Sequence, residues 1–489
     1  MPTSEARQRP RARSPSPARP GTKPEAKAQS KPAKGSTGVA ELDGVKMGPL
    51  ETIWVRYGPL LLMLPCPILC FLLAFVTNSK EITSPTLTGM YEYCVKNGLN
   101  GLFSDAFALG GIGDVPAWGF LFVFNFFALL IYWWPGEVKY GPLTPTGHKP
   151  DYMDNGVAHC ALSTFIFLGG AYLGWWDLGV IFDHFAPVVG ALNFFGLVFC
   201  LFLYFKGMHF PSTADSGTSG SGFIFDYYWG AELYPRICGV DVKKFVNCRF
   251  SMSFWMLAGV SFSYRSYTMH NKVDPGIVLC ALSQFIYLVK FFIWEIGYMR
   301  SIDIIVDRAG FYETWGCLVW VPSVYTLHTR ILVHSPSNFS WPVAFFIFAV
   351  GLAGVGLNYW ADAQRMMFRE QNAKCKIWGK DPVYIKAEYK ALNRETGKVE
   401  THKSLLLASG FWGIARHFQY LWELTAAWSW GILAMGTQNG ALPCFYAFFL
   451  TILLIDRAKR DEKKCLLKYG DYYKEYMKIV RYKIIPFIY

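Results

Sequence analysis

The chain has 489 residues, 53% hydrophobic and 18% aromatic, with a formal net charge of +12 and a mean hydropathy of +0.22. Soluble proteins rarely combine these values, which argues against a water-soluble enzyme or a nucleic-acid-binding module. Much of the positive excess lies in one terminal stretch, so it is not evidence of a nucleic-acid partner.

That stretch comes first in the chain. Residues 1–34 hold nine Lys or Arg against Glu5 and Glu25, a local charge of +7. The composition is rich in Pro, Ser, Ala and Lys and cannot bury a core. A disordered basic tail is predicted over 1–45, acting as a solvated topology signal or as a contact for anionic head groups. The first apolar run begins near residue 57 and has full-span length, so the tail does not read as a secretory signal.

Apolar runs of membrane-spanning length follow at Tyr57–Val76, Val115–Trp134, Ala158–Trp176, Phe185–Phe205, Pro275–Tyr298 and Trp341–Trp360. Shorter candidates lie at Phe250–Tyr264, Trp315–Val333, Trp422–Gly436 and Pro443–Ile455. A helix needs about 20 apolar residues to cross the hydrocarbon core. The fold class is therefore an all-α polytopic membrane protein with about ten transmembrane helices. Ten Lys or Arg fall in Arg365–Lys403 and ten more in Asp456–Tyr489, whereas Thr77–Asp114 holds only Lys80 and Lys96. By the positive-inside rule the N-terminal tail, the 361–403 loop and the C-terminus face the cytosol, which requires an even number of spans. Residues 50–489 read as one membrane domain, with 361–489 as its C-terminal cofactor-binding part.

The twelve cysteines show no C-x-x-C spacing, and the nine histidines no H-E-x-x-H. Neither a disulfide framework nor a metal site is predicted. The sequon at Asn338 lies in a very short loop and is expected to stay unmodified. No G-x-G-x-x-G precedes a helix, so no soluble nucleotide-binding domain is expected.

Charges within membrane segments are costly and by default mark function. Five clusters qualify. "GFIFDYYWGAELYPR" (222–236) interleaves aromatics with Asp226, Glu232 and Arg236 after a Ser/Gly-rich turn. In 289–325, Lys290 and Glu295 sit in a span's cytosolic half, followed by Tyr298, Asp303, Asp307, Arg308, Tyr312 and Glu313. Glu295 is either a proton donor near tyrosines or the partner of Lys290 in a packing pair. In 361–380, Arg365 and Arg369 lie one turn apart. In "LLLASGFWGIARHFQYLWE" (405–423), Trp412, Arg416, Gln419, Tyr420 and Glu423 share one face if the segment is helical. Arg416 then walls a pocket, with Glu423 or Asp461 as its internal partner. In "LIDRAKRDEKKCLLKYGDYYKEY" (454–476), Arg457, Asp461, Lys464, Cys465 and Lys468 share a face, followed by Tyr469 and Tyr476. The last three clusters bring Arg, Lys, Tyr and Trp to the cytosolic side. Such a pocket suits a flat, multiply anionic ligand such as a nucleotide cofactor.

The same stretches carry a family resemblance. "GFIFDYYWGAELYPR" and "LIDRAKRDEKKCLLKYG" look like the two signatures of the sterol reductases, and "SGFWGIARH" resembles their S-G-x-W-G-x-x-R-H block. The similarity covers about 50–489, and "DRAGFYETWGCLVWVPSVYT" (307–326) is most like the plant-type Δ7-sterol branch. The resemblance implies an endoplasmic-reticulum enzyme with both termini cytosolic. It implies a sterol substrate drawn from the membrane, NADPH as reductant, and association with other sterol-processing enzymes. Carried over position by position, the cofactor contacts are Arg365, Arg369, Leu407, Trp412, Arg416, Gln419, Tyr420, Glu423, Arg457, Asp461, Cys465, Leu466, Leu467, Lys468, Tyr469 and Tyr476. Reduction of a 5,7-diene requires a proton, a hydride and a water-poor site. Glu295, Tyr298 and Tyr312 are the candidate acids, with Asp461 coupling the relay to the cofactor; a Glu acid would need burial to raise its pKa. The rival readings are a Δ14 or side-chain sterol reductase, an isoprenylcysteine-type methyltransferase suggested by Arg416, His417, Tyr420 and Glu423, and a non-catalytic transporter or sterol-binding scaffold.

Overall fold

The computed structural model describes residues 49–489 apart from 83, 143, 145–147 and 394–397. The basic tail predicted over 1–45 lies outside the described residues.

Among the described residues, five helices are long and apolar enough to cross a membrane: Leu50–Asn78, Val115–Tyr132, Phe185–His209, Pro275–Ile293 and Trp341–Glu370, with Gly156–Tyr172 shorter but also apolar. These six match the six full-length runs of the sequence. The shorter runs fall on Met252–His270, Leu327–His334, Phe418–Met435 and Phe445–Tyr469. The chain is a polytopic helical membrane protein. Several helix starts are set locally. Asp114 caps Val115–Tyr132 by accepting from the Ala117 amide at 2.8 Å, and Asp274 caps Pro275–Ile293 through Ile277 at 3.0 Å. Both helices place Pro in the first turn, where its missing N–H costs nothing.

Three features depart from the sequence reading. The stretch 77–114, in which no apolar run was found, contains the helix Leu87–Gly110, kinked at Gly98 (φ +72°). Polar residues such as Glu92, Lys96 and Asp105 interrupt its apolar run and hid it, but Tyr93, Leu102 and Ala106 are buried. The class is not purely α: antiparallel hairpins join Glu137–Tyr140 to Asp151–Asp154, Arg236–Ile237 to Val240–Asp241, and Tyr384–Asn393 to Lys398–Leu407. The last has a register from Tyr384↔Leu407 to Asn393↔Lys398 and occupies the stretch read as a basic loop. Its alternation, with Ile385 and Ala387 buried while Lys386 and Glu388 are exposed, is a period-two signal that the charge count masked. Finally, Lys244–Ser251 and Phe311–Tyr325 are π-helical, the second with Pro322 inside it. Wide-turn segments of this kind often occur at functional sites.

The site is positioned by one close helix pair. Trp341–Glu370 packs along Phe418–Met435, and small residues let the backbones approach. A Cβ on Gly351 would meet Ser429 Oγ at 2.0 Å, and one on Gly354 would meet the Trp422 carbonyl at 2.9 Å. This packing carries Arg365 and Arg369 to the side of the 411–423 segment.

Candidate functional site

A cavity of about 1620 Å³ lies among Pro275–Ile293, the π-helix Phe311–Tyr325, the end of Trp341–Glu370, and the helices Phe418–Met435 and Phe445–Tyr469. Its lining includes Arg365, Arg369, Leu407, Trp412, Arg416, Gln419, Tyr420, Glu423, Arg457, Asp461, Cys465, Lys468, Tyr469 and Tyr476, the expected cofactor positions.

The 405–423 stretch is not one helix. Leu405–Leu407 ends a strand, Gly410 turns the chain at φ +63°, Phe411–Ile414 makes one helical turn, and Ala415 is extended before Phe418–Met435 begins. Gly410 is required there, because a Cβ would meet Gln364 Oε1 at 2.3 Å, the oxygen that accepts from the Phe411 amide at 2.9 Å. Trp412 is fixed by its indole N–H to the Ala361 carbonyl at 2.7 Å, and the Arg365 guanidinium lies 3.9 Å over its ring.

Arg416 corrects the sequence reading. Its partner is neither Glu423 nor Asp461 but Glu462, with Nε donating to Oε1 at 2.7 Å. Nη1 donates to the carbonyls of Val480 at 2.6 Å and Arg481 at 2.8 Å. The expected single stripe is broken at Ala415, so Arg416 turns toward the C-terminal strand bridge, where the Arg416 amide donates to Tyr482 at 2.9 Å. Arg416 borders the cavity, but its donors are engaged by protein.

Other predicted residues do present free groups. Gln419 is buried and its Oε1 has no hydrogen-bond partner, while its backbone carbonyl is held by Asn358 at 3.1 Å. Tyr420 stacks on His417 with ring centroids 5.2 Å apart. His417 Nε2 stands 3.9 Å from Asp461 Oδ2, and the Cys465 thiol lies 3.9 Å from the same oxygen. Burial pushes the His417 imidazole down to about 4, against the pull of Asp461 and Glu462. Lys468 is exposed, with its ammonium 4.1 Å over the Tyr389 ring. Tyr469 bonds Ser404 at 3.3 Å, and Tyr476 donates to the Trp412 carbonyl at 3.3 Å. Arg457 is ion-paired with Asp303. Leu466 and Leu467 depart from expectation: Leu466 packs against the hairpin and Tyr473, and Leu467 is exposed, since both fall on the helix face away from the cavity.

Among the candidate acids, Tyr298, Tyr312 and Asp461 line the cavity, with Tyr312 stacked 6.1 Å from Trp229. Glu295 does not line it. It is fully buried and ion-paired with Arg249 and, at 3.5 Å, with Lys244. A carboxylate flanked by two cations stays ionised and only accepts hydrogen bonds, which makes it a poor proton donor. Its partner is not Lys290, which instead donates to Asn358 at 2.7 Å. Sequence reasoning missed Tyr287, Tyr325, Tyr446 and Trp255, which line the same cavity. Tyr287 donates to Glu423 Oε1 at 2.8 Å. Its position one turn before Lys290 in an apolar run was the available signal.

In the first signature Phe225, Tyr228 and Trp229 line the cavity, while its charged residues are architectural. Asp226 accepts from Thr218 Oγ1 at 2.5 Å and the Ser219 amide at 2.8 Å, holding the Ser/Gly turn. Glu232 pairs with Lys206 at 2.8 Å, and Arg236 with Asp151 at 2.9 Å. Among the described residues no group of three His, Cys, Asp or Glu side chains could hold a metal ion.

The sequence profile described as the Ergosterol biosynthesis ERG4/ERG24 family matches residues 60–489. A 7-dehydrocholesterol reductase of Arabidopsis thaliana is 39% identical over 438 residues, 89% of this chain and 98% of the relative. A Delta(14)-sterol reductase of Methylotuvimicrobium alcaliphilum is 35% identical, covering 74% of this chain and 80% of the relative. A 7-dehydrocholesterol reductase of Xenopus laevis is 34% identical, covering 72% and 73%.

Proposed function

The chain belongs to the ergosterol biosynthesis ERG4/ERG24 family and is a sterol reductase, and on that premise we propose that it reduces the Δ7 double bond of 5,7-diene sterols with NADPH. The observation that carries this reading is the size and composition of the cavity. At about 1620 Å³ it exceeds the roughly 300–1,000 Å³ of a single-ligand pocket, so a dinucleotide and a sterol can be held together. A Δ14 reductase is the alternative, because a relative of that name shares 35% identity and the cofactor requirement would be the same. The setting we propose is the endoplasmic-reticulum membrane, with about ten spans, both termini cytosolic, and other sterol-processing enzymes nearby.

The residues present fit the cofactor. Arg365, Arg369 and Lys468, beside an Arg457 that Asp303 already holds, supply more cations than a diphosphate needs, leaving charge for a 2′-phosphate. Trp412 and Tyr420 offer flat faces, and the unpartnered Gln419 Oε1 is an acceptor of the kind a carboxamide N–H₂ would satisfy. Leu407, Arg416, Cys465, Tyr469 and Tyr476 border and brace this end, with Glu423 one turn beyond Gln419. NADPH, when bound, supplies the hydride.

The protein supplies the proton. An isolated alkene resists hydride, but protonating the 5,7-diene gives an allylic cation that accepts it. We assign that proton to Tyr287, a cavity-lining phenol that Glu423 positions through its hydroxyl. Glu423 lies one helical turn from Gln419, which places the acid near the reducing end. Tyr298 and Tyr312 extend the hydroxyl lining, and Asp461 with His417 connects the cofactor end to water. The apolar wall excludes water, so the cation meets hydride first.

The test is expression in a yeast that accumulates 5,7-dienes, with sterols read by mass spectrometry and microsomes assayed with NADPH and NADH. Loss of the Δ7 bond with NADPH preferred supports the reading. Reduction confined to Δ8,14-dienes would replace it with the Δ14 alternative. Equal rates with both cofactors would remove the 2′-phosphate role from the surplus cations.

A further inference from the structure

We propose that Glu313 receives the ring-A hydroxyl of the sterol and so fixes which way the substrate lies in the cavity; the inference rests on the sterol-reductase reading above. Glu313 sits on the π-helix Phe311–Tyr325, is buried, and lines the cavity. Among the described residues the other buried glutamates each have a cation: Glu232 has Lys206, Glu295 has Arg249 and Lys244, and Glu462 has Arg416 and Lys483. Among the described residues Glu313 has no Lys or Arg within ion-pair distance, and Lys243 acts on it only from farther away. Lys243, which immediately precedes the neighbouring π-helix, directs its ammonium to the carbonyls of Ile304 at 2.8 Å and Asp307 at 2.5 Å.

The partners Glu313 does have are weak. Thr314 Oγ1 donates to Oε2 at 3.0 Å, and the Cys317 thiol approaches Oε1 at 3.8 Å. A carboxylate offers about four acceptor sites, so acceptor capacity remains unmet in a mostly apolar wall. Leaving a buried polar group unsatisfied is costly, and a charge more so. A sterol is the complementary object: a flat apolar body with one hydroxyl. That hydroxyl must find a partner when it leaves the membrane surface for an apolar cavity, and the Glu313 carboxyl group offers it one. Recognition at ring A leaves ring B to be presented to the proton source, so one contact sets both affinity and orientation.

The readout is the ratio of kcat/KM for a 3-hydroxy-5,7-diene to that for its 3-deoxy analogue, measured on the purified full chain. Wild type should favour the hydroxyl by roughly ten- to hundredfold, the scale of a hydrogen bond to a charged group. Glu313→Leu should bring the ratio toward one, mainly through KM of the hydroxy substrate. Glu313→Gln, which keeps a neutral acceptor and is close in shape, should retain part of the preference and controls for folding. A Leu variant that loses both substrates equally would make Glu313 part of proton delivery and overturn the proposal. So would a wild type with no preference. Failure of wild type to reduce either diene would instead sink the reductase reading on which the proposal rests.

Discussion

Arg416 and Glu462 form a buried ion pair, with Nε to Oε1 at 2.7 Å and Nη2 to the same oxygen at 2.5 Å. The guanidinium also ties the 411–417 segment to the C-terminus through the Val480 and Arg481 carbonyls. Trp412, Gln419 and Tyr420 flank this knot, so Arg416 acts on the proposed cofactor end by holding the cavity wall in place.

Arg416→Lys should therefore lower stability first. A lysine can reach Glu462 or the carbonyls, but not all of them with a planar fork. Losing one such charged contact costs about 1.5–3 kcal/mol. Thermal unfolding in detergent reads the stability, and NADPH titration at equal folded fraction reads the site. We expect a lower melting temperature with a smaller change in affinity per folded molecule. Unchanged melting with lost NADPH binding would return Arg416 to direct contact with the cofactor.

Glu295→Gln should be strongly destabilising, by about 3–5 kcal/mol, because Arg249 and Lys244 are left buried without their counter-charge. The folded fraction should keep the wild-type pH–rate profile. If a stable variant showed a shifted or flattened profile, Glu295 would be a proton donor after all.

Tyr287→Phe should cut kcat by about 10²–10⁴, the usual contribution of a positioned acid, while NADPH affinity stays within a few-fold. Glu423→Gln should fall in the same direction by less, since an amide oxygen still accepts from Tyr287. A Phe variant with wild-type kcat would move the proton donor to Tyr298 or Tyr312.

His417 gives a pH prediction. Its ordinary value near 6.5 falls to about 4 in the folded chain, so the unfolded chain binds the proton more readily. The stability is fully present above 6.5 and is lost as pH falls from there toward 4. Unfolding followed from pH 7.5 to 4 should show a shallower acid decline for His417→Gln than for wild type. Parallel declines would mean that the imidazole is not held neutral.

What the sequence determined was the membrane class, the six long spans, and most of the polar residues that gather around one cavity. Apolar length and charge asymmetry are properties of the chain itself, and Arg365, Trp412, Gln419 and Asp461 could be chosen because polar groups in apolar surroundings are conspicuous. Tertiary structure decided the pairings. Glu295 read as an acid until Arg249, 46 positions earlier, met it in the core. Arg416 read as a cofactor ligand until a break at Ala415 aimed it at Glu462. Tyr287 looked like one more aromatic in a span until Phe418–Met435 packed Glu423 against it. A side chain's type is local, but whether a buried charge is matched, or a hydroxyl has an acceptor, depends on which distant segment the fold brings within about 3 Å.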